Sequence, residues 1–307
     1  SESTPTQGAG QGVGWAGPKW LNTADTVSKI LNDSCTGMHF RDPFGKCEVT
    51  KIADYFVDDT ATGVNADAIE DDLDVLEHLK LTEQKHARLL FAAGHKLAFG
   101  KCSYYYVEFK RCGTEFKYKS VKDLPGEIFL SETFTNHLVR VPRLEPKQAH
   151  RTLGHFLAVD GNQKMHFDKL CGKARAWSNM VKTSALLGED RITAYHSYLE
   201  KSIQYMISSS NFTYTQCKRI ASIISPVLLN AHTLQRNCSR TILYSTHRTG
   251  GLNVTHPYHL QGLEKLRFYF SHTRRNDTVG KLMYISRMNT QLELGISQPF
   301  LHLSYDP

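Results

Sequence analysis

The stretch "KIADYFVDDTATG", residues 51 to 63, places Asp58 and Asp59 directly after a run of apolar and aromatic residues. That run is rich in Ile, Tyr, Phe and Val, which is typical of a half-buried strand, whereas residues 60 to 65 lack the pattern and indicate a turn or the end of a strand. Two carboxylates about 4 Å apart repel each other by roughly 4 kcal/mol at an effective dielectric constant near 20. The pair therefore needs water, cationic side chains or a metal ion beside it.

Two acids at the tip of a hairpin suit Mg²⁺, which takes oxygen ligands from carboxylates and from substrate phosphates. The plain alternative is a solvated turn, because a short motif such as Asp-Asp often matches by chance. The order of the surrounding segments is needed to separate these two interpretations.

Composition is that of a globular chain: 307 residues, 40% hydrophobic and 22% charged, long enough for one large or two ordinary domains. No run of 18 apolar residues occurs, so no membrane partner is expected. The first 15 residues lack the basic and apolar regions of a signal peptide, and we expect them to continue a longer chain. Seven cysteines without regular spacing indicate reduced thiols and an intracellular location, cytoplasmic or nuclear.

Charge is distributed unevenly along the chain. Residues 1–100 hold 9 Lys and Arg against 15 Asp and Glu, and residues 101–307 hold 28 against 15, so the net charges are −6 and +13. This separation suits a protein that binds a phosphate backbone with its basic part and a metal ion with its acidic part. A generally basic protein without such a division is the alternative.

Residue patterns predict an α+β segment followed by helices. A helix is predicted from Pro18 towards Leu31, then strands separated by a turn at 42–45, and one or two amphipathic helices ending near Gly94. Two aromatic strands are predicted to meet at a turn over residues 112–113, and a further strand leads into a turn at 160–161. From residue 163 the spacing is helical, with breaks near 188, 211 and 250.

The order of four segments resembles the second half of a reverse transcriptase palm, in particular that of eukaryotic retrotransposons. "GQG" at 10–12 is similar to that family's nucleotide-site segment, and "FVDD" at 56–59 is similar to its Tyr/Phe-x-Asp-Asp box. "LAFGKC" resembles the later segment that carries a lysine, here Lys101, and "LGHFLAVDG" resembles the primer-grip hairpin, with Leu153 and Gly154 at its start. Further on, "GGLNV" at 250–254 resembles a Gly-Gly-Leu segment of the same elements.

The resemblance implies a fold and a division of the chain. The fold class is α+β, a partial polymerase palm with an antiparallel sheet and helices, followed by an all-α thumb-like domain. The implied boundaries are a partial palm over 1–120, a connecting region over 121–149, a primer-grip-like hairpin over 150–162 and a helical thumb-like domain over 163–307.

It also implies roles at the site. Nucleotidyl transfer uses two Mg²⁺ (or Mn²⁺) ions about 3.5–4 Å apart, so carboxylates must cluster. Asp58 is the expected direct metal ligand, and Asp59 is expected to assist, since neighbours on a strand point to opposite faces. Phe56 is expected to share the face of Asp58 and to pack under the primer end, although an ordinary core aromatic would look the same. Lys101, on a predicted strand, would neutralise or protonate pyrophosphate, with a solvated lysine at a strand edge as the alternative.

The remaining site residues belong to the nucleotide and primer segments. Gly10, Gln11 and Gly12 are expected to line the incoming nucleotide and template, with Gln11 as hydrogen-bonding group or simply as a solvated loop side chain. Leu153 and Gly154 are expected to contact the primer.

One predicted helix carries several basic side chains that would bind nucleic acid: Lys164, Lys169, Lys173, Arg175 and Lys182. Lys169, Lys173 and, nearly a turn further on, Arg175 and Lys182 are expected to form a stripe against phosphates. Trp177 and Tyr195 are expected close by, to pack on a sugar or base. A solvated basic face of a helix is the alternative.

A complete palm has another carboxylate on an upstream strand, which would precede Gly8. Asp54 is too close in sequence to Asp58 to replace it. We therefore expect a fragment of a longer polymerase whose partners are an RNA or DNA template-primer, dNTP and an upstream polymerase segment of the same polyprotein. The alternatives are a non-catalytic nucleic-acid-binding remnant of a retroelement and, on the Asp pair alone, a metal-dependent phosphodiesterase.

Overall fold

The computed structural model describes residues 16–56, 59–69, 74–132, 135, 137–231 and 238–297. Within these residues the protein is α+β, with helices and small two-stranded antiparallel sheets. The chain divides into two compact units. The first unit is Ser1–Glu145 with Arg275–Pro307, and the second unit is Pro146–Arg274.

The α-helices of the described residues are α1 (Ala16–Ser34), α2 (Val75–Ala92), α3 (Lys164–Thr183), α4 (Gly188–Ala194), α5 (Glu200–Ile207), α6 (Tyr214–Ala231), α7 (Thr241–Tyr244), α8 (Pro257–Arg275) and α9 (Thr278–Glu293). A π-helical turn over Tyr195–Leu199 joins α4 to α5. The strands form five hairpins: β1 (Met38–Arg41) with β2 (Glu48–Lys51), β3 (Ala53–Phe56) with β4 (Asp59–Thr62), β5 (Phe109–Cys112) with β6 (Glu115–Tyr118), β7 (Phe129–Ser131) with β8 (Leu138–Arg140), and β9 (His150–Thr152) with β10 (His155–Leu157).

Helix α1 and the first hairpins form where the sequence predicts them. Val27 and Leu31, one helical turn apart, are buried against Ile52, which lies between β2 and β3. The predicted turn at 42–45 is confirmed: Asp42 Oδ1 accepts hydrogen bonds from the backbone N–H groups of Lys46 (2.6 Å) and Cys47 (2.9 Å). This side chain closes the loop between β1 and β2 with its own carboxylate, as Asp does in turns.

Helix α2 is one helix and covers a second apolar cluster. Asp74 caps its N-terminus by accepting from the Glu77 N–H at 2.8 Å, and Gly94 follows its C-terminus with φ +80°. Gln84 on α2 bonds both backbone groups of Ser131 on β7, its side-chain nitrogen to the carbonyl (2.9 Å) and its oxygen to the N–H (2.6 Å). The β7–β8 hairpin therefore lies within the segment 121–149, for which the sequence predicts only a connecting region.

The second unit is a helical core with the β9–β10 hairpin attached to it. Four residues of α3 spaced by four, three and four positions face inwards and are buried, chiefly against α6: Leu170, Ala174, Trp177 and Val181. This spacing is the stripe that an amphipathic helix turns towards a core. The helices predicted from residue 163 onwards are confirmed in type.

The division of the chain differs from the predicted boundaries at its C-terminal end. Helix α9 packs against β1 and β2 and belongs to the first unit, so the segment 163–307 is not a single helical domain. The last residues of the helical pattern thus complete the unit that contains the Asp-Asp hairpin. Of the helices in the described ranges, none combines the length and the apolar character that crossing a bilayer requires.

Candidate functional site

Two antiparallel strands flank the Asp-Asp pair. Strands β3 and β4 pair Ala53 with Thr62, Tyr55 with Thr60 and Phe56 with Asp59. Asp59 is exposed at the start of β4, while Asp58 lies outside the described residues. The described part of the hairpin therefore includes one of the two aspartates that the sequence singles out.

The base of this hairpin is anchored to α2. Tyr55 packs edge-on against His86, with ring centroids 6.1 Å apart, and burial, helped by the nearby Glu83 charge, raises the pKa of Tyr55 to about 12. The Thr62 hydroxyl donates a hydrogen bond to the Glu83 carboxylate. The strands are therefore fixed at one end, and Asp59 is presented to solvent at the other.

The expectation that Phe56 shares a face with Asp58 and packs under the primer end stays a prediction, because Asp58 lies outside the described residues. The register pairs the backbone of Phe56 with that of Asp59.

Asp54, the nearest other carboxylate on this hairpin, is already paired. Its Oδ1 lies 2.5 Å from Lys51 Nζ; the Asp54 side chain is exposed, whereas that of Lys51 is largely covered. Among the described residues no three His, Cys, Asp or Glu side chains are grouped so as to hold a metal ion. Asp59 is a carboxylate of the type that Mg²⁺ takes, and its predicted partner Asp58 is outside the described residues.

Lys101 lies in a short 3₁₀ turn, Phe99–Lys101, and not on the predicted strand. Phe99 is buried in the apolar cluster beneath α2, and this contact holds the turn while Lys101 remains exposed. Lys101 and Asp59, both in the described part of the chain, form no ion pair with each other. Gly10, Gln11 and Gly12, the predicted nucleotide-site residues, lie outside the described residues.

Leu153 and Gly154 form the turn of the β9–β10 hairpin. Both have positive φ, +52° and +84°, which is the signature of a type I′ turn and matches the right-handed twist of the flanking strands. Leu153 is held in this left-handed conformation, unfavourable for a side chain with a Cβ, by a hydrogen bond of 2.5 Å from the Tyr205 hydroxyl to its carbonyl oxygen. The predicted hairpin is present, and a role in contacting a primer remains a prediction.

Two histidines, His155 and His166, link the β9–β10 hairpin to the helical core. His166 on α3 is 2% exposed; its Nδ1 accepts from the Phe156 N–H (3.2 Å) and its Nε2 lies 2.7 Å from the Met206 carbonyl oxygen. This arrangement requires the neutral ring with its proton on Nε2. His155 stacks on His166 at 5.5 Å, and burial, with a smaller contribution from His166, lowers the pKa of His155. Neither histidine could be predicted from the sequence, because their partners are up to 54 residues away.

We expect Gly154→Ala to lower the free energy of unfolding by about 1–2 kcal/mol, since alanine is strained at positive φ. The matched control is Gly172→Ala on α3, where a Cβ meets open space and φ is helical. That substitution should raise stability by about 0.5–1 kcal/mol because alanine favours helix. Urea unfolding of both variants checks this, and a Gly154→Ala protein as stable as wild type would contradict the turn geometry.

The three predicted nucleic-acid-binding cations do not form one stripe. Lys169 lies over the ring of Phe156 on β10 at 5.7 Å, and Lys173 Nζ lies 3.1 Å from the Ser202 hydroxyl on α5. Arg175 follows Lys173 by two positions, a rotation of about 200° around the helix, and is exposed on a different side. The expected common stripe is therefore limited to Lys169 and Lys173.

Trp177 and Tyr195 are core residues and not surface platforms. They are 3% and 2% exposed, and their rings meet edge to face at 6.0 Å inside the helical core. Burial raises the pKa of the Tyr195 phenol strongly. The expectation that these two rings pack on a sugar or base is wrong.

The two units carry formal net charges of opposite sign. The second unit, residues 146–274, holds 17 Lys and Arg against 6 Asp and Glu, a formal net charge of +11, and the rest of the chain holds 20 against 24, a net charge of −4. These observations define the class of protein: one strongly basic helical unit and one slightly acidic α+β unit. No protein-family model, curated protein or solved structure matches the chain.

Proposed function

We propose that this chain is the later part of the palm, together with the thumb, of a retrotransposon-type RNA-directed DNA polymerase. The observation that carries the proposal is the β3–β4 hairpin, which is anchored on α2 and has Asp59 exposed at the start of β4. A carboxylate exposed at this position is open to a metal-bound triphosphate. The order of the other segments supports the same assignment.

In the proposed reaction the primer 3′-hydroxyl attacks the α-phosphate of a dNTP, a new phosphodiester bond forms, and pyrophosphate leaves with the bond to the α-phosphate broken. Mg²⁺, when bound, lowers the energy of the charge that develops on the attacking and leaving oxygens. Asp58 would hold the ion and Asp59 would assist. Lys101, exposed on its 3₁₀ turn, would provide positive charge for the leaving pyrophosphate.

The second unit would hold the template-primer. Its net charge of +11 favours a polyanionic partner, because each phosphate neutralised by Lys or Arg releases condensed counterions. Lys169 lies beside the hairpin that carries Leu153 and Gly154, and Lys173 contacts α5, the helix whose Tyr205 donates a hydrogen bond to the Leu153 carbonyl oxygen.

A second candidate is a non-catalytic nucleic-acid-binding protein derived from a retroelement. The same charge division favours it, since binding through the second unit needs neither Asp58 nor a metal ion. The two candidates share salt-sensitive binding and differ in metal-dependent primer extension.

The binding that both require is tested by fluorescence anisotropy of a labelled template-primer at 50 and 200 mM salt. We expect the affinity to fall by about 100-fold or more, as for a protein that contacts several phosphates. Replacing Lys169 and Lys173 together with Gln should reduce the slope of log affinity against log salt by about 2.

The matched control replaces two exposed lysines of the first unit, Lys29 and Lys80, with Gln. These lysines pair with acids on their own helices, and their loss should leave the salt slope unchanged. Equal effects of the two double variants would contradict the assignment of binding to the second unit, and salt-independent binding would contradict both candidate functions.

A further inference from the structure

Five aromatic side chains from three separate segments meet on the surface of the second unit. We call them the Tyr214 cluster: Tyr214, Tyr244, His256, Tyr258 and His259. Tyr214 stacks on His256, with centroids 5.7 Å apart and planes at 22°, and meets Tyr258 at 5.6 Å and 84°. Tyr244 and His259 contact His256 edge to face at 5.3 and 5.8 Å. The cluster thus contains a stacked pair, Tyr214 and His256, and the ring of Tyr258 stands perpendicular to Tyr214.

The two central rings, Tyr214 and His256, lie at the N-terminal ends of α6 and α8, where local hydrogen bonds fix their backbone. Tyr214 is the first residue of α6, behind a reciprocal cap in which Thr213 N–H donates to the Gln216 side chain (2.9 Å) and Gln216 N–H donates to the Thr213 hydroxyl (3.3 Å). His256 precedes α8, whose first residue is Pro257, and its Nδ1 accepts from the Tyr258 N–H at 3.2 Å. The rings are therefore ordered before any ligand binds, which lowers the entropy lost on binding.

Two of the rings remain largely open to solvent. Tyr214 is 56% exposed and Tyr258 is 43% exposed, although both are large aromatic residues in contact with others. His256 covers one face of Tyr214, so the exposed area includes the opposite face. Burial, followed by the effect of His259, lowers the pKa of His256. The imidazole under Tyr214 is accordingly neutral at pH 7, and the pair is an uncharged π-stack.

The surroundings favour a flat ligand that carries negative charge. The cluster belongs to the unit with net charge +11, and Lys218 follows Tyr214 by one helical turn. Burial raises the pKa of the Tyr244 phenol, and the positive charge of nearby Arg240 opposes this rise. A planar ring placed on the open face of Tyr214 would extend the His256–Tyr214 stack and touch the perpendicular ring of Tyr258.

We propose that Tyr214 and Tyr258 form a stacking site for an unpaired base of a single-stranded nucleic acid. Every base has a π-face, so aromatic side chains in a basic surface bind single strands with little sequence preference. The site lies apart from the Asp-Asp hairpin in sequence and in unit, and no polymerisation chemistry is needed for it. The inference rests on the proposed function only in taking nucleic acid as the ligand.

The test uses the full chain and two labelled probes of equal length, a 15-nucleotide oligo-dT and an abasic oligonucleotide with the same phosphates. We expect Tyr214→Ala to weaken binding of oligo-dT by about 5- to 100-fold, the range of alanine substitutions that remove one stacked base. Binding of the abasic probe should change less than twofold. Tyr214→Phe keeps the ring and should bind oligo-dT as wild type does.

The matched control is Tyr198→Ala, which removes a tyrosine that is 64% exposed in the same unit. It should leave the affinity for both probes unchanged. If wild type binds oligo-dT but Tyr214→Ala and Tyr198→Ala behave alike, the stacking site is overturned while nucleic-acid binding by the basic unit stands. Loss of affinity for the abasic probe in Tyr214→Ala would also overturn it, and wild type that binds neither probe would overturn the site together with the proposed function.

Discussion

Asp58→Asn is expected to abolish Mg²⁺-dependent primer extension, with a loss of about 10³-fold or more. Asparagine keeps the size of the side chain but removes the charge that holds the metal ion, and a metal ion contributes several kcal/mol to the transition state of such a transfer. The assay adds dNTPs and Mg²⁺ to a labelled template-primer and the full-length protein. Binding of the template-primer in the absence of dNTP should change less than twofold.

Asp54→Asn is the matched control for this substitution. Asp54 is an exposed aspartate on the same hairpin, but it pairs with Lys51 and has no assigned role in the transfer. Its substitution should leave extension within a few-fold of wild type. Extension that persists in Asp58→Asn would refute the metal-ligand role, and a wild-type protein that binds the template-primer without extending it would favour the non-catalytic candidate.

Trp177→Ala is expected to lower the free energy of unfolding by about 3–5 kcal/mol, the usual range when a buried tryptophan is truncated in a core. The ring packs between α3 and the turn that carries Tyr195, and its removal leaves a cavity that the surrounding helices fill only in part. Urea unfolding followed by circular dichroism measures the loss.

Two comparisons separate this structural role from the nucleic-acid contact that the sequence suggested. Tyr198→Ala, on the exposed side of the same unit, should change stability by less than about 0.5 kcal/mol. Trp177→Phe should retain a large part of the stability, and the folded variant should bind template-primer like wild type. A stable Trp177→Ala protein with weakened binding would show instead that this side chain reaches the ligand.

Much of the local structure follows from the sequence, because it depends on spacing within one segment. The helical stripe of α3 was visible in residues 170, 174, 177 and 181, and the same stripe could have identified Trp177 as a core residue. Asp42 and Gly94 mark a turn and a helix end by their own chemistry. These features needed no knowledge of the rest of the chain.

Features that depend on distant partners were not predictable in this way. The segment around Lys101 has the composition of a strand, but a strand requires a neighbour. Among the described residues this segment forms an isolated bridge between Tyr104 and Arg143. The β7–β8 strands have three residues each, too few for alternation to be recognised. The Tyr214 cluster joins segments more than 40 residues apart, and composition alone carries no signal for such a meeting.

The packing of α9 against β1 and β2 affects the order in which the two units can fold during translation. Lys51 ends β2 and Thr278 begins α9, so 226 residues are synthesised between the two surfaces that pack together. At typical rates of translation the ribosome needs roughly 10–45 s to produce them. During that time the surface of β1 and β2 that α9 later covers is exposed. The whole second unit is synthesised in the same interval and can fold through contacts within itself. Nascent chains of this protein are thus expected to complete their basic helical unit before the unit that begins the sequence.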